Sequence, residues 1–406
     1  MSFDIKFDYR FDEKNFFTPE RKAILEQAGK IWSSYIRDEF TPIPTGENLR
    51  FPINNIERNV VLNKPIDDLL IFVSSVNLPS DRATLGEGAY YATYVVGSDR
   101  EQRIIGDDFE PWLGTIEFNA SVADSFYFDP TPETDDDIPF NKQDFLSLSL
   151  HEIGHILGIG TANQFSRQIQ NQHFIGTQSI ELNGGQLIPL DNDENHIRDG
   201  FTVDPDSDAL LDKSFTFGER NLPTDLDLAV LADIGYEIFA YDRTPVYRFY
   251  QYEKGFHFYT ANKNERENVI LRSEAGEIKY NYENVGYEVL GRDTDALSGE
   301  KINKALPVYR FFNRQTGAHL YTMDEVEKEY ILDNLSNYNF ENIAYYAFES
   351  QPQNIETVPL YRMLNTQSNS HLFTANSQEF EFIKQTQPHF QAEGNAGVTF
   401  YVLEPI

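Results

Sequence analysis

Alternation of apolar and polar residues opens the chain: residues 3–10 read Phe-Asp-Ile-Lys-Phe-Asp-Tyr-Arg, which predicts a half-buried strand. Thr18 and Pro19 then form a helix-start signal, and apolar residues follow at helical spacing as far as Ile36. We therefore expect one long amphipathic helix after the first strand. Further strands are predicted at 69–76, 89–96 and 113–119.

A second strong helical pattern begins at Asp144, whose side chain can cap the helix, and continues through apolar residues into His151. Gly158 is placed to end it. The acidic stretch 124–137 before it has the Pro and Asp content of a loop. After Gly158 the sequence becomes polar and irregular until 223–236, where apolar spacing and Gly235 predict a last helix. We expect a first domain at residues 1–240.

The remaining residues, 241–406, contain three copies of one pattern. Each copy has a Tyr-Arg strand, then a strand that reads His-Phe-Tyr-Thr, His-Leu-Tyr-Thr or His-Leu-Phe-Thr, a helix cap and a closing strand. The Tyr-Arg strands are 246–249, 308–311 and 360–363; the His strands are 257–260, 319–322 and 371–374; the caps are Asn262 with Glu265, Asp324 with Glu327, and Asn376 with Glu379; the closing strands are 285–290, 343–348 and 398–403. One copy is too small to bury its own apolar face, so we expect the three to pack around a common core.

Composition agrees with two domains, because 406 residues with 40% hydrophobic content can form two cores. The formal charge of −32 argues against nucleic acid or an anionic membrane as a partner. The absence of cysteine excludes disulfides and thiolate metal ligands. We find no apolar run of the roughly 20 residues that would span a bilayer, and the first residues show no signal-peptide pattern.

The segment 151–158, His-Glu-Ile-Gly-His-Ile-Leu-Gly, carries the candidate chemistry. Residues four apart share one face of a helix, so His151 and His155 can bind one metal ion, with Glu152 beside them. Zinc with three protein ligands keeps a position open for water, and a nearby carboxylate can take the proton of that water. The two histidines could instead be polar members of a core helix. Their place at the end of an amphipathic helix that follows alternating strands favours zinc.

This segment resembles the metzincin zinc proteases, in which H-E-x-x-H-x-x-G is normally followed by a third His three positions after the Gly. Here Thr161 occupies the position of that His and is not a customary zinc ligand. In leishmanolysin-like metzincins an insertion separates the Gly from the third His, and the segment 188–200 looks like that arrangement. The resemblance therefore implies His196 as the third ligand. His173 is a weaker candidate, because it has no comparable surroundings in the sequence.

The resemblance implies more about the first domain. It would be a metzincin-like protease domain with a twisted mixed sheet and long helices, in an α+β chain. Leu211 stands where the family has a methionine beneath the metal, and leucine has a similar volume. The expected reaction is peptide-bond hydrolysis by a zinc-bound water, with Glu152 as general base. The substrate would lie along an edge strand, for which we expect 114–119.

Two further sets of residues leave alternatives open. Acidic clusters could bind calcium, although solvated loops are the simpler interpretation: Asp135 to Asp137, Asp191 with Asp193, and Asp204 with Asp206 and Asp208. The repeats resemble a three-copy module attached to secreted bacterial hydrolases. Their Tyr-Arg pairs could bind a carbohydrate or a cell-surface ligand, but a shared repeat core is the favoured role: Tyr247 with Arg248, Tyr309 with Arg310, and Tyr361 with Arg362. The recurring His257, His319 and His371 are also expected to be structural.

We thus expect a secreted zinc endopeptidase that acts on protein or peptide substrates, with repeats that target it to a surface or polymer. The alternative is a catalytically inactive, metzincin-like adhesin or carbohydrate-binding protein, which the departures at Thr161 and Leu211 suggest. Retention of Glu152 argues for the enzyme.

Overall fold

The fold is described from a computed structural model. It describes residues 3–78, 85–92, 94, 96–130, 135, 137–203, 208–214, 216–353, 355–394 and 396–404. The chain divides into two compact units, the first ending at Ala240 and the second beginning at Tyr241. Both units combine helices and strands, so the chain is of the α+β class.

The first unit contains both strands and helices, most of them short. Its strands are β1 (Ile5–Asp8), β2 (Asn48–Ile53), β3 (Ile56–Val61), β4 (Leu69–Val76), β5 (Gly86–Tyr90), β6 (Leu113–Asn119), β7 (Phe126–Tyr127), β8 (Gln143–Asp144), β9 (Ile169–Gln170), β10 (His173–Phe174) and β11 (Ile188–Pro189). Its helices are α1 (Pro19–Tyr35), α2 (Asp99–Ile105), α3 (Phe145–Ile156), α4 (Asn163–Ser166), α5 (Thr177–Leu182) and α6 (Asp225–Asp233), with a 3₁₀ helix at Ala120–Ser125.

The main sheet of this unit has the order β1-β4-β6-β5. Strands β1, β4 and β6 are parallel, whereas β5 runs antiparallel to β6 at the end of the sheet. The prediction that 114–119 forms the edge is therefore wrong, because β6 lies between β4 and β5. Pairing order depends on tertiary packing, which an alternating pattern within one strand does not encode.

Helix α3 is buried along its whole length and is anchored from both sides. The Asp144 side chain caps it by accepting a hydrogen bond from the Ser147 N–H at 3.1 Å, as predicted. The buried Arg220 guanidinium pairs with Asp144 at 2.9 Å, which holds this cap in place. From α1, the Trp32 indole N–H donates to the Leu150 carbonyl oxygen at 2.9 Å. These contacts fix the helix that carries the candidate ligands.

Several predicted elements are confirmed and one is displaced. The strands at 69–76 and 113–119 have the predicted bounds, and Thr18 caps α1. The first strand is shorter than expected. The strand predicted at 89–96 is wrong in position, because it occupies Gly86–Tyr90. Glycine disfavours strands, so local propensity gave no signal for this segment.

The second unit repeats one arrangement of a hairpin, a helix and a returning strand. Its strands are β12 (Arg243–Gln251), β13 (Phe256–Thr260), β14 (Tyr280–Leu290), β15 (Ala305–Asn313), β16 (His319–Thr322), β17 (Tyr338–Phe348), β18 (Thr357–Asn365), β19 (Ser370–Thr374), β20 (Phe390–Ala392) and β21 (Val398–Leu403). Its helices are α7 (Lys263–Glu274), α8 (Glu325–Asn334) and α9 (Ser377–Thr386). The predicted capping residues Asn262, Asp324 and Asn376 each accept a backbone N–H at the start of their helices.

The repeats share a core, as the sequence predicts. Tyr259, Tyr321 and Phe373, one from each repeat, pack edge to face with ring centroids 5.6–6.0 Å apart. The Tyr259 hydroxyl donates to the Phe373 carbonyl oxygen at 2.9 Å, and the Tyr321 hydroxyl donates to the Tyr259 carbonyl oxygen. The third equivalent bond is missing because Phe373 has no hydroxyl.

The start and the end of this second unit are adjacent. The Arg243 guanidinium, at the start of β12, donates to the Glu404 carbonyl oxygen at 2.7 Å. Strand β14 also pairs with β21, with Glu288 opposite Leu403. The unit is thus closed by contacts between its first and last segments.

Candidate metal centre

Helix α3 brings two imidazoles together one turn apart. His151 and His155 are both buried, and their Nε2 atoms are 3.1 Å apart. This spacing follows from the helical geometry, which places residues i and i+4 on the same face.

His196 reaches the same point from a tight reversal of the chain. Leu190 and Ile197 form an antiparallel bridge, and the Asp191 N–H donates to the His196 carbonyl oxygen at 2.9 Å. The far side of this reversal lies against Gly160, where an added Cβ would be 1.9 Å from the Asn195 carbonyl oxygen. The His196 Nε2 atom is consequently 3.1 Å from that of His155.

The other ring nitrogens of these histidines face hydrogen-bond acceptors. The Nδ1–H of His151 donates to the Leu210 carbonyl oxygen at 2.9 Å, and that of His155 to the Ile159 carbonyl oxygen at 2.8 Å. The His196 Nδ1 lies 3.4 Å from an Asp193 carboxylate oxygen. Because neutral imidazole carries one proton, these contacts leave an unshared electron pair on each Nε2.

The three Nε2 electron pairs fit a bound cation. The ligand atoms of His151, His155 and His196 all lie within 4.8 Å of one another. Tetrahedral zinc with Zn–N bonds of about 2.0–2.1 Å separates its ligand atoms by roughly 3.3 Å, close to the 3.1 Å found for two of the pairs. Burial lowers the pKa of His151, and burial also lowers that of His155 to about 4, so the neutral, metal-binding form is favoured. The residues present therefore suit a metal such as zinc.

The side chain of Glu152 extends from α3 towards the edge strand β5. An added Cβ on Gly88 would be 2.0 Å from the Glu152 carbonyl oxygen, and one on Gly86 would be 3.0 Å from its carboxylate Oε1. The Gly88 backbone also hydrogen-bonds the carboxylate. Burial raises the pKa of Glu152 to about 8. The two glycines thus allow a sheet edge to approach this carboxyl directly.

An apolar side chain, Leu211, contacts the turn of α3 that lies between the two histidines. An added Cβ on Gly154 would be 2.8 Å from a Leu211 methyl carbon, so Leu211 packs directly against this turn of α3. Leu211 therefore contacts α3 between the two histidines, and its role as the counterpart of the family's methionine stays a prediction.

A buried carboxylate in α6 holds the segment that contains Leu211. Asp227 accepts the backbone N–H groups of Leu210 at 2.9 Å and Leu211 at 3.0 Å. It also accepts the N–H and hydroxyl of Thr224, at 2.8 and 2.6 Å. Because the Leu210 carbonyl oxygen accepts from His151, Asp227 supports a ligand through the backbone. The sequence contained one signal for this residue, the Thr-x-x-Asp spacing of a capping box.

The weaker candidate ligands lie elsewhere. His173 is in β10, where its Nδ1–H donates to the Asn171 carbonyl oxygen, and it does not join the histidine cluster. The Thr161 hydroxyl donates to the His155 carbonyl oxygen at 2.6 Å. Thr161 therefore supports the end of α3 and does not replace the missing His.

Comparison with known proteins bears on the second unit. A family model described as "Domain of unknown function (DUF5648)" matches residues 245–403. No curated protein matches the chain. The matched residues coincide with the three repeats.

The recurring arginines in these repeats are engaged in ion pairs between repeats. Each binds one glutamate from the helix of another repeat and a second from its own closing segment. The pairs are Arg248 with Glu379 and Glu283, Arg310 with Glu265 and Glu341, and Arg362 with Glu327 and Glu393. The predicted capping glutamates thus bridge repeats. His257, His319 and His371 pair with the second glutamate of each set at 3.1–3.3 Å.

This network gives the recurring residues a structural role. Tyr247 and Tyr309 are buried, and the arginines are mostly buried in bidentate pairs with the bridging glutamates. The arrangement favours the core interpretation over a carbohydrate site for these side chains.

The acidic clusters show no assembled calcium site among the described residues. Lys213 pairs with Asp191 at 2.7 Å and with Asp193 at 3.3 Å, and the Tyr127 hydroxyl donates to Asp137. Asp136, Asp204 and Asp206 lie outside the described residues, so calcium stays a prediction. Among the described residues, no helix is both long enough and apolar enough to span a membrane.

Proposed function

We propose that the first unit is a zinc-dependent endopeptidase of the metzincin type. The observation that carries this proposal is the convergence of three imidazole Nε2 atoms, two of them from the helix that also carries Glu152. Three neutral nitrogen ligands are typical of catalytic zinc sites that keep a coordination position open.

The proposed roles follow from the position of each side chain. His151, His155 and His196 hold the metal. When bound, zinc supplies Lewis-acid chemistry, which makes water more acidic and polarises a carbonyl group. Glu152 takes a proton from the attacking water and passes it to the leaving amine. Glu152 would accept a proton in its ionised form, which a cation bound by these histidines would favour, since an opposite charge nearby lowers the pKa of a carboxyl group.

The substrate binds along β5 in this proposal. Glu152 lies under Gly86 and Gly88, so a peptide added to this edge passes beside the general base. The strand β5 replaces 114–119 in this role, because β6 is internal to the sheet.

The inactive alternative rested on Thr161 and Leu211. The Nε2 atom of His196 lies close enough to that of His155 to complete the ligand set, and Leu211 packs against α3 at Gly154, so both observations support the active form. Targeting by the second unit, its surface ligand and secretion of the protein remain predictions from the sequence.

Metal analysis and activity measured together test this function. We expect one zinc per chain in the wild type, loss of that zinc in His196→Ala, and retention in the matched control His173→Ala. Glu152→Ala should keep the zinc but lose about 10²- to 10⁴-fold in hydrolysis of an unfolded protein substrate, the usual contribution of a general base. Equal inertness of wild type and Glu152→Ala towards broad peptide libraries would instead favour the binding-protein alternative.

A further inference from the structure

The outer edge of β5 has backbone groups in position to pair with another strand. At the two ends of the pairing with β6, the Asn119 N–H donates to the Leu85 carbonyl oxygen and the Tyr91 N–H donates to the Leu113 carbonyl oxygen, both at 2.8 Å. Backbone groups of successive residues point to opposite sides of a strand. The N–H and C=O groups of Gly86, Gly88 and Tyr90 therefore point away from β6, and of these residues Gly88 already hydrogen-bonds the Glu152 carboxylate through its backbone. Within the described part of the chain, no strand pairs with this side.

Glu87 is the charged side chain at the centre of this edge. Gly86 and Gly88 face Glu152, so alternation puts the Glu87 side chain on the opposite face of the sheet. It is exposed, and none of the described residues forms a hydrogen bond or ion pair with it. Glu117 lies directly opposite it on β6. Two like charges in this cross-strand relation are unfavourable, so a cation on the other side of Glu87 would be stabilising.

Glu117 differs from Glu87 because its carboxylate already has a hydrogen-bond partner. Its carboxylate accepts a hydrogen bond from the Asn54 backbone N–H at 2.5 Å, at the turn of the β2-β3 hairpin. Asn54 also accepts from the Ser74 hydroxyl of β4, so this bond holds Glu117 on the side of β4 rather than of β5. Glu87 is left as the carboxylate that faces an added strand.

We infer, on the basis of the proposed peptidase function, that Glu87 determines specificity by selecting peptides with Lys or Arg at the one position that faces it. Side chains directly opposite on neighbouring antiparallel strands have Cβ atoms about 4.5–5.5 Å apart, which is within reach of a Lys or Arg head group. The positions on either side of that residue face α3 and Glu152, on the side of the sheet opposite to the Glu87 side chain. The preference is therefore confined to one subsite.

A position-specific preference differs from a general attraction of cations. The formal charge of −32 draws any basic peptide towards the protein and raises its association rate wherever the charge lies in the peptide. Only a carboxylate fixed opposite one substrate residue makes the rate depend on which position carries the charge.

The experiment is a positional scan with the zinc-loaded full chain. One cleaved peptide is resynthesised with Lys, Ala or Glu at each position around the cleaved bond, and kcat/KM is measured for wild type, Glu87→Gln and Glu87→Lys. Glu181→Lys is the matched control, because Glu181 is an exposed residue of α5 in the same unit and the substitution changes the net charge equally. Binding of the same peptides to Glu152→Ala, with and without Glu87→Lys, is measured by fluorescence anisotropy.

We expect wild type to prefer Lys over Ala at one position by roughly twofold to fivefold, the range of a solvent-exposed ion pair. Glu87→Gln should remove this preference, Glu87→Lys should invert it in favour of Glu, and Glu181→Lys should preserve it. Two outcomes would overturn the inference while the peptidase proposal stands. In the first, the peptides are cleaved with a charge preference that neither Glu87 variant alters; in the second, they are cleaved with no charge preference at any position. Absence of cleavage, together with anisotropy that still shows the Glu87-dependent preference, would retain the subsite and reject the peptidase. Loss of both signals would reject both.

Discussion

Substitution of Asp227 by Asn tests whether this carboxylate fixes the backbone at Leu210 and Leu211, and through Leu210 the candidate ligand His151. The Asp227 carboxylate accepts four hydrogen bonds, three on Oδ2 and one, from the Leu211 N–H, on Oδ1. An amide can accept on one oxygen only. In the better of its two orientations, the side-chain amide of the Asp227→Asn variant would keep the three bonds and place an NH₂ group against the Leu211 N–H.

The magnitude follows from that single lost bond. A buried donor without an acceptor costs about 1–3 kcal/mol in the free energy of unfolding. For a unit of this size, the corresponding fall in melting temperature is roughly 2–12 °C. Metal binding should weaken as well, by about 10–100-fold, because the Leu210 carbonyl oxygen that orients His151 belongs to the same segment.

Two assays separate these effects: thermal melts of the metal-free protein, and zinc competition against a chromophoric chelator. Asp225→Asn is the control, since Asp225 lies in the same first turn of α6 and accepts from neither Leu210 nor Leu211. A lower melting temperature with unchanged zinc affinity would show that the segment is not coupled to His151. If the melting temperature and the zinc affinity both matched those of Asp225→Asn, the proposal that Asp227 holds the segment at Leu210 and Leu211 would be refuted.

Three further predictions concern packing and pH. Phe373→Tyr should raise the free energy of unfolding by about 0.5–1.5 kcal/mol, because the new hydroxyl can donate to the Tyr321 carbonyl oxygen; lower stability in urea unfolding would show that the threefold pattern does not extend to this position. The pKa of Glu393 is lowered to about 2 despite desolvation, because His371 and Arg362 favour its ionised form. The ionised Glu393 therefore contributes its full stabilisation of the folded state above pH 4.5, the unfolded pKa, and loses it as the pH falls through about 2. The free energies of unfolding of wild type and Glu393→Gln should converge over that range. A difference that stays constant with pH would contradict the pairing. Gly88→Ala should cost about 1–3 kcal/mol and shift Glu152, since its Cβ would be 2.0 Å from the Glu152 carbonyl oxygen; unchanged melting and activity would mean that the strand can move aside.

Local signals in the sequence were sufficient for α3 and for the repeats. Asp144 as cap, the apolar face that follows and the i, i+4 histidines are properties of one helix, so they can be read from one stretch of sequence. The repeated residue types likewise identified a shared core, because equivalent positions in three copies must meet at one place.

Other parts of the site depend on contacts between distant segments. The edge strand contains Gly86 and Gly88, which lack strand propensity and are explained only by the closeness of α3. Asp227 could be read as part of a capping box, but its bonds to Leu210 and Leu211 require the tertiary structure. Only the family resemblance points to His196, since a separation of 41 residues along the chain gives no geometric information by itself.

The bond from Arg243 to Glu404 has a consequence for the modular use of the second unit. Because its first and last strands leave from neighbouring positions, the unit can be spliced into a surface loop of a host protein as readily as it can be joined at one end. The same adjacency allows circular permutation: a short linker could join the two ends, and new termini could be opened in the loop between β14 and β15. The closeness of its two ends therefore makes the unit suited to insertion and to circular permutation.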